Sequence, residues 1–402
     1  MIDFSWGEWL SLGLLMTQVP ATLQLLMRLA AAPFRPAPLQ PEAGDPQHSG
    51  RVSVLVPTLN EAERIDPCLE GLHHQGSTLR EVVVIDSRSQ DETVAKVLAM
   101  QARDPRFRVV TDDPLPSGWV GRPWALHSGY LAAHPESDWI LGIDADTRPQ
   151  AGLVDSLLKV AMAENFDVVT LAPRFILKHW GEAWLQPSLL VTLIYRFGAV
   201  GDPPETPERT MANGQCCLIR KSVLSEVSGY SLARHSFCDD VTLVRALAAR
   251  GLRVGFLDGS CLIQVRMYTS LAETWREWGR SLDLKDASPA AQVWSDAWFL
   301  LMVQGIPLPL TLGLSVLRAW ASSSWLLLGL WALNGGLVLF RWGLLLGIRH
   351  SYANPPWTFW LSPLADPLAV LRIILSSLQK PRRWRGRSYV NFQPNPEEAQ
   401  SS

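Results

Sequence analysis

This sequence predicts an α/β fold with a mostly parallel sheet and helices on both of its faces, carried between apolar helices at the two ends of the chain. Three observations lead there. Short apolar runs alternate with helix-like stretches between 51 and 260. Stretches with little or no charge, long enough to cross a bilayer, stand near both ends. The 402 residues are 48% hydrophobic and 18% charged, with a mean hydropathy of +0.08. That balance is too apolar for an ordinary soluble protein and too charged for a pure membrane bundle. The formal net charge of −2 leaves no footprint for nucleic acid, and no nucleic-acid partner is expected.

Residues 1–32 read as an N-terminal membrane helix, since 10–27 (LSLGLLMTQVPATLQLLM) carry no charge, although Pro20 and the glutamines weaken the pattern. Asp3 and Glu8 precede it where a signal peptide would carry positive charge. Arg28 and Arg35 follow it, which places the next segment in the cytoplasm by the positive-inside rule. Five prolines in 33–50 predict a stiff, extended linker.

A catalytic domain is expected over 51–285. The runs VSVLVP (52–57), EVVVID (81–86), RFRVV (106–110), WILGID (139–144) and DVVTL (167–171) have the length and continuity of strands buried on both faces. Such sheets bind ligands beyond the carboxyl ends of their strands, and acids fall there: Glu61, Asp86, Asp144 and Asp146. The turn after the first strand, PTLNEAER, contains no glycine, so a dinucleotide-binding dehydrogenase is excluded. Asp144 and Asp146, two apart at a strand end, offer hard oxygen ligands to Mg²⁺ or Mn²⁺, which takes its other ligands from waters and phosphates. A solvated turn is the plainer reading of that tripeptide. Asp239-Asp240 opens a helical stretch and competes with a simple capping pair. Five cysteines without a CxxC argue against a disulfide framework or a zinc site, and His73, His74 and His235 have no ligand set around them.

Interfacial and transmembrane helices are expected over 286–380. The stretch 298–317 is broken by Pro307 and Pro309 and reads as lying in the interface; 324–348, with a single Arg341, is the best span; 357–378 is a second, interrupted at Asp366-Pro367. Trp294, Trp298, Trp320, Trp325, Trp357 and Trp360 suit a headgroup belt. The tail, 381–402, is basic where KPRRWRGR (380–387) leads into it and should stay cytoplasmic, which two spans after the catalytic domain satisfy.

The segments PTLNEAE (57–63), VVVIDSRSQDET (82–93), SGWVGRPWAL (117–126), DAD (144–146), ANGQCCLIRKSVL (212–224) and FCDDVTLVRAL (237–247), in this order, resemble the membrane-associated family 2 glycosyltransferases of GT-A fold. Within that family the likeness is to enzymes that glycosylate carotenoids, hopanoids or, more distantly, ceramides. The resemblance implies a nucleotide-sugar donor (a UDP- or GDP-sugar), with Pro57, Glu61, Asp86, Arg122 and Asp144 around it and a divalent cation on Asp144 and Asp146. It also implies that Asn213, Gly214 and Gln215 line the sugar or acceptor and that Asp240, with Asp239 beside it, is the catalytic base. The family's QxxRW motif is replaced by TWREW (274–278), which keeps Trp278 on the acceptor side but puts Glu277 where the arginine belongs; Arg276 and Arg280 supply nearby charge. The expected activity is inverting transfer of one sugar to a hydroxyl of a membrane lipid, a carotenoid or terpenoid before a hopanoid, sphingoid or glycerolipid. A processive polysaccharide synthase and a degenerate membrane scaffold are the alternatives.

Overall fold

The structure, a computed structural model, describes residues 5–378 apart from 203, 205, 279–281, 283, 318 and 320–323, together with the backbone of 383–384 and 387–388. Arg280, Trp320, Asp3 and most of the basic tail therefore lie outside the described residues.

In chain order the strands are β1 (Val52–Thr58), β2 (Leu79–Asp86), β3 (Phe107–Thr111), β4 (Trp139–Ile143), β5 (Thr147–Pro149), β6 (Val168–Ala172), β7 (Arg174–Ile176), β8 (Cys216–Arg220), β9 (Val254–Asp258) and β10 (Ile263–Val265). The helices used below are α1 (Trp6–Leu29), α2 (Asp66–His73), α3 (Thr93–Arg103), α4 (Gly121–Ala132), α5 (Leu153–Ala163), α6 (Trp180–Phe197), α7 (Lys221–Glu226) and α8 (Asp239–Ala248). All five strands foreseen from apolar runs form, with ends displaced by no more than two residues. They belong to a seven-stranded sheet of order β3-β2-β1-β4-β8-β6-β9.

The pairs β1–β2, β2–β3, β1–β4 and β6–β9 are parallel, whereas β8 runs antiparallel to both β4 and β6. Continuous apolar strands pack on both faces: Val54, Val84 and Leu141 are buried together with Leu72, Val97 and Leu157 from α2, α3 and α5. Each fully buried side chain of that size contributes roughly 1.5–3 kcal/mol. A smaller sheet joins β5 antiparallel and β7 parallel to β10.

Contacts within the chain divide it into two groups. The seven-stranded sheet belongs to one, made of 36–175 and 203–267, and residues 5–35, 176–202 and 268–378 belong to the other. This differs from the expected 51–285 domain in three ways: residues 36–50 join it, 176–202 leave it, and 268–285 belong to the other group. Residues 36–50 are not a free spacer, because their backbone finds partners: Leu39 N–H donates to the Asp258 carbonyl and Glu42 N–H to Ser156 Oγ, each at 2.9 Å. The helix α6 leaves the sheet group, because it is buried around most of its circumference among apolar helices.

In the helical group, three stretches are long and apolar enough to cross a membrane: Trp6–Phe34, Trp325–Ser351 and Trp357–Leu378. The proline-broken stretch forms the helices Ala290–Gly305 and Pro307–Val316, bent by 40° at Ile306. Arg341 does not snorkel. It is buried against Asp366, Nε to Oδ2 at 2.9 Å, and Gln304 Nε2 donates to the same carboxylate at 3.1 Å. The interruption in the last apolar stretch is thus the counter-charge of the arginine in the one before.

Candidate active site

Two loops border the carboxyl edge of the sheet beside β1 and β2. Register pairs Pro57 with Ile85 and Thr58 with Asp86. Asp86 is buried and accepts hydrogen bonds from the Ser89 N–H at 3.1 Å and from Thr58 Oγ1 at 3.4 Å. Asn60 adopts a left-handed φ of 55°, gives its N–H to Ser89 Oγ at 2.9 Å and accepts the Gln90 N–H at 2.8 Å. The Glu61 N–H donates to Thr93 Oγ1 at 2.9 Å, and the Glu61 side chain is buried. The PTLNEAE and DSRSQDET segments are laced together residue by residue.

The pair Ile143↔Cys216 in the antiparallel β4–β8 ladder brings the Asn213-Gly214-Gln215 loop to the same edge as the DAD turn. Asp144 N–H donates to the Gln215 carbonyl at 3.3 Å. The Asp144 carbonyl in turn accepts from the Thr147 N–H at 3.2 Å and from Thr147 Oγ1 at 2.8 Å, which closes the turn. Asn213 is pinned at both main-chain ends by Thr170 Oγ1, at 2.8 and 2.9 Å, and its Oδ1 accepts the Gln215 N–H at 3.0 Å.

Arg122, at the start of α4, is the hub. Its Nε and Nη2 donate to Asp144 Oδ1 at 3.0 and 2.9 Å, Nη2 also donates to the Gly214 carbonyl at 2.7 Å, and Nη1 donates to Asp239. Gly214 is required by this approach, since a Cβ there would stand 2.7 Å from the guanidinium. Its N–H donates to Asp240 Oδ2 at 2.6 Å. Asp239 and Asp240 open α8, where exposed amides favour carboxylates, yet neither acts only as a cap.

Burial alone would lower the Arg122 pKa, but Asp144, Asp239 and Asp240 hold it well above the usual arginine value. Burial likewise pushes Asp239 up to about 7 against the pull of Arg122, with Asp240 and Asp144 pushing the same way. Burial raises Asp144 as well, and Arg122 opposes the rise.

Asp146 differs from the other carboxylates here. Its Oδ1 is buried and has no hydrogen-bond partner. Burial, then the Asp144 charge, push its pKa up to about 7, while Arg64 and Arg122 pull it down. A buried acceptor without a donor is costly, by about 1–3 kcal/mol. No group of three His, Cys, Asp or Glu side chains gathers into a ready metal cage among the described residues. Arg122 takes Oδ1 of Asp144, which leaves Asp144 Oδ2 and Asp146 Oδ1 as two carboxylate oxygens without a donor among the described residues. That set fits a hard divalent cation completed by waters and phosphate oxygens.

The sequence-derived residues Pro57, Glu61, Asp86, Arg122, Asp144, Asp146, Asn213, Gly214, Gln215, Asp239 and Asp240 all belong to the sheet group. Trp278 belongs to the helical group, buried in the single π-turn Thr274–Trp278 and 6.5 Å from the Tyr268 ring. Arg276 pairs with its neighbour Glu277 at 3.0 Å. His73 and His74 are bound locally, by Asp104 at 2.9 Å and by the Glu70 carbonyl at 2.7 Å. Sequence reasoning missed Arg64, whose charge acts on Asp146 and whose Nη1 donates to the Met267 carbonyl at 3.4 Å; its one signal was its place three residues after Glu61.

Residues 53–228 match the family described as Glycosyl transferase family 2. The 4,4'-diaponeurosporenoate glycosyltransferase of Staphylococcus haemolyticus is 23% identical over 234 residues, 58% of this chain and 60% of that protein. An N-acetylglucosaminyltransferase of Bradyrhizobium elkanii is 28% identical over 164 residues, 39% of this chain and 84% of that one. Among solved structures, a mannosyltransferase from Pyrobaculum calidifontis in complex with GDP-Man and Mn²⁺ superposes with a TM-score of 0.53 at 18% identity, covering 92% of this chain and 98% of the other. That likeness extends to the fold.

Proposed function

We propose that this chain, which carries a glycosyl transferase family 2 match over residues 53–228 and a GT-A-like fold, moves one sugar, with inversion, from a UDP- or GDP-sugar to a hydroxyl of a membrane lipid. A carotenoid or related terpenoid is the favoured acceptor, supported by the name of the staphylococcal relative and by three helices apolar enough to span a bilayer. The observation that carries the reading is the orphaned Asp146 Oδ1 beside an arginine-clamped pair of carboxylates, all at the carboxyl edge of a parallel sheet.

In this reading Asp86 and the laced loops hold the nucleoside, and Asp146 with Asp144 holds Mg²⁺ or Mn²⁺. A bound cation supplies neutralising charge for the diphosphate that departs. The sugar C1–O bond to the diphosphate breaks as the acceptor oxygen bonds to C1 from the opposite side. The acceptor's hydroxyl proton goes to Asp240. Asp240 suits that role better than Asp239: Arg122 engages Asp239, whereas Asp240 gives only Oδ2 to Gly214 and makes no hydrogen bond through Oδ1 to a described residue. Arg122 sets the distance between the cation-binding turn and the base. Arg28, in the last turn of α1, and Arg35 beyond it support a cytoplasmic catalytic side by the positive-inside rule.

The test is turnover by detergent-solubilised protein offered UDP- and GDP-sugars, Mn²⁺ and a lipid extract, with the product's mass and anomeric configuration read out. A single-sugar lipid product of inverted configuration is expected. Long saccharide chains would make the protein a processive synthase instead, and silence with every donor would favour a scaffold.

A further inference from the structure

Cation-bearing positions that the site described above does not use cluster on the small sheet. Register sets Gln264 of β10 opposite Arg148 of β5 and opposite Arg174 of β7, so the three share one face. Arg266, two residues beyond Gln264, continues that face. The other face is apolar or small: Thr147, Phe175, Ile263 and Val265 are buried. Arg148 and Arg174 therefore stand one strand spacing, about 4.8 Å, on either side of Gln264, with Arg266 two residues further along the chain.

Among the described residues nothing pairs with them. No hydrogen bond, ion pair or ring contact joins the side chain of Arg148, Arg174 or Arg266 to another described residue. The Nε atoms of Arg174 and Arg266 are buried, out of reach of water, and have no acceptor. Like charges gathered on one face of a sheet repel, and a buried donor without an acceptor costs more than one left in water. An arrangement that carries both costs has the chemistry of an oxyanion receptor. Planar guanidinium groups match the paired oxygens of a phosphate.

We propose that β5, β10 and β7 form an oxyanion-binding face, built on Arg148, Arg174 and Arg266, that takes the phosphate of an anionic lipid headgroup. A headgroup is favoured over free phosphate because the chain carries helices apolar enough to span a bilayer, where such phosphates are always at hand. The site uses none of the carboxylates that would hold a cation, and binding to it requires no turnover. Its failure and the failure of the transferase reading are therefore distinguishable.

The full chain, purified in neutral detergent, is titrated with short-chain phosphatidylglycerol, short-chain phosphatidylcholine and inorganic phosphate, and Kd is read from the shift in Tm and from native mass spectra. Phosphatidylglycerol should bind at least about tenfold more tightly than phosphatidylcholine, and more weakly at high salt. Arg174→Gln with Arg266→Gln should cost about tenfold or more, while lysine at both positions should retain most of the binding. Arg148→Gln serves as a second variant should the double one fail to fold, which Tm without lipid reports. Equal binding of the two lipids, or unchanged affinity in folded glutamine variants, would overturn the site. Inorganic phosphate binding as tightly as phosphatidylglycerol would overturn the assignment to a lipid.

Discussion

Replacing Arg122 with methionine removes the one group that touches three walls of the site. Four donated hydrogen bonds disappear: two to Asp144, one to Asp239 and one to the Gly214 carbonyl. The Arg122 and Asp239 side chains are 14% and 7% exposed, so this ion pair lies largely out of water. Breaking a buried pair by deleting one partner costs ~3–5 kcal/mol. Part is recovered because the carboxyls left behind can bind protons, and Asp239 already sits at about 7. A net loss of roughly 3 kcal/mol in stability is expected. If the same clamp sets the spacing of base and cation-binding turn, transfer should fall on the order of a hundredfold, since 1.4 kcal/mol is a factor of ten. Arg122→Lys keeps the charge but cannot bridge three acceptors and should be intermediate. Denaturant unfolding and a radiolabelled-donor transfer assay read the two effects. An Arg122→Met protein within about 1 kcal/mol and threefold of the wild type would refute the clamp.

Asp240→Asn should abolish transfer yet leave donor and metal binding largely intact, as calorimetry with nucleoside diphosphate and Mn²⁺ would show. Burial, the first cause in both cases, raises Asp146 and Asp239 from 3.8 to about 7, so the fold holds protons that the unfolded chain has shed. Stability from these groups is full below the unfolded value and is lost as pH rises through about 7. Tm should fall over that window, and Mn²⁺ should restore more of it at about pH 8 than at about pH 5, because the cation competes with the proton at Asp146. Arg341→Leu or Asp366→Leu alone should cost ~3–5 kcal/mol, while the double variant should regain most of the loss. Unfolding of the purified protein in mild detergent measures all three.

The strands could be read directly, because a strand buried on both faces has to be apolar along its whole length, and VSVLVP, EVVVID and WILGID are. The acids could be placed at their ends for the same reason. Three things could not. The direction of β8 depends on its partners β4 and β6, and only that direction brings Gly214 and Gln215 beside Asp144. The resemblance sets Arg122 beside the nucleotide-sugar, but sequence cannot show that it also reaches Asp144, Asp239 and Gly214. The arginine face of the small sheet joins positions 148, 174 and 264 through register alone, with no periodicity inside any one segment to betray it.

The central claim is that Asp146 offers an unsatisfied carboxylate to a divalent cation that in turn secures a nucleoside diphosphate. Calorimetric binding of UDP and GDP to wild type and to Asp146→Ala, each with Mn²⁺ and with EDTA, tests it most directly. One nucleotide should bind the wild type at least about tenfold more tightly with Mn²⁺ than with EDTA, and Asp146→Ala should erase that difference. Affinity indifferent to EDTA, or a Mn²⁺ effect that survives in Asp146→Ala, would contradict it.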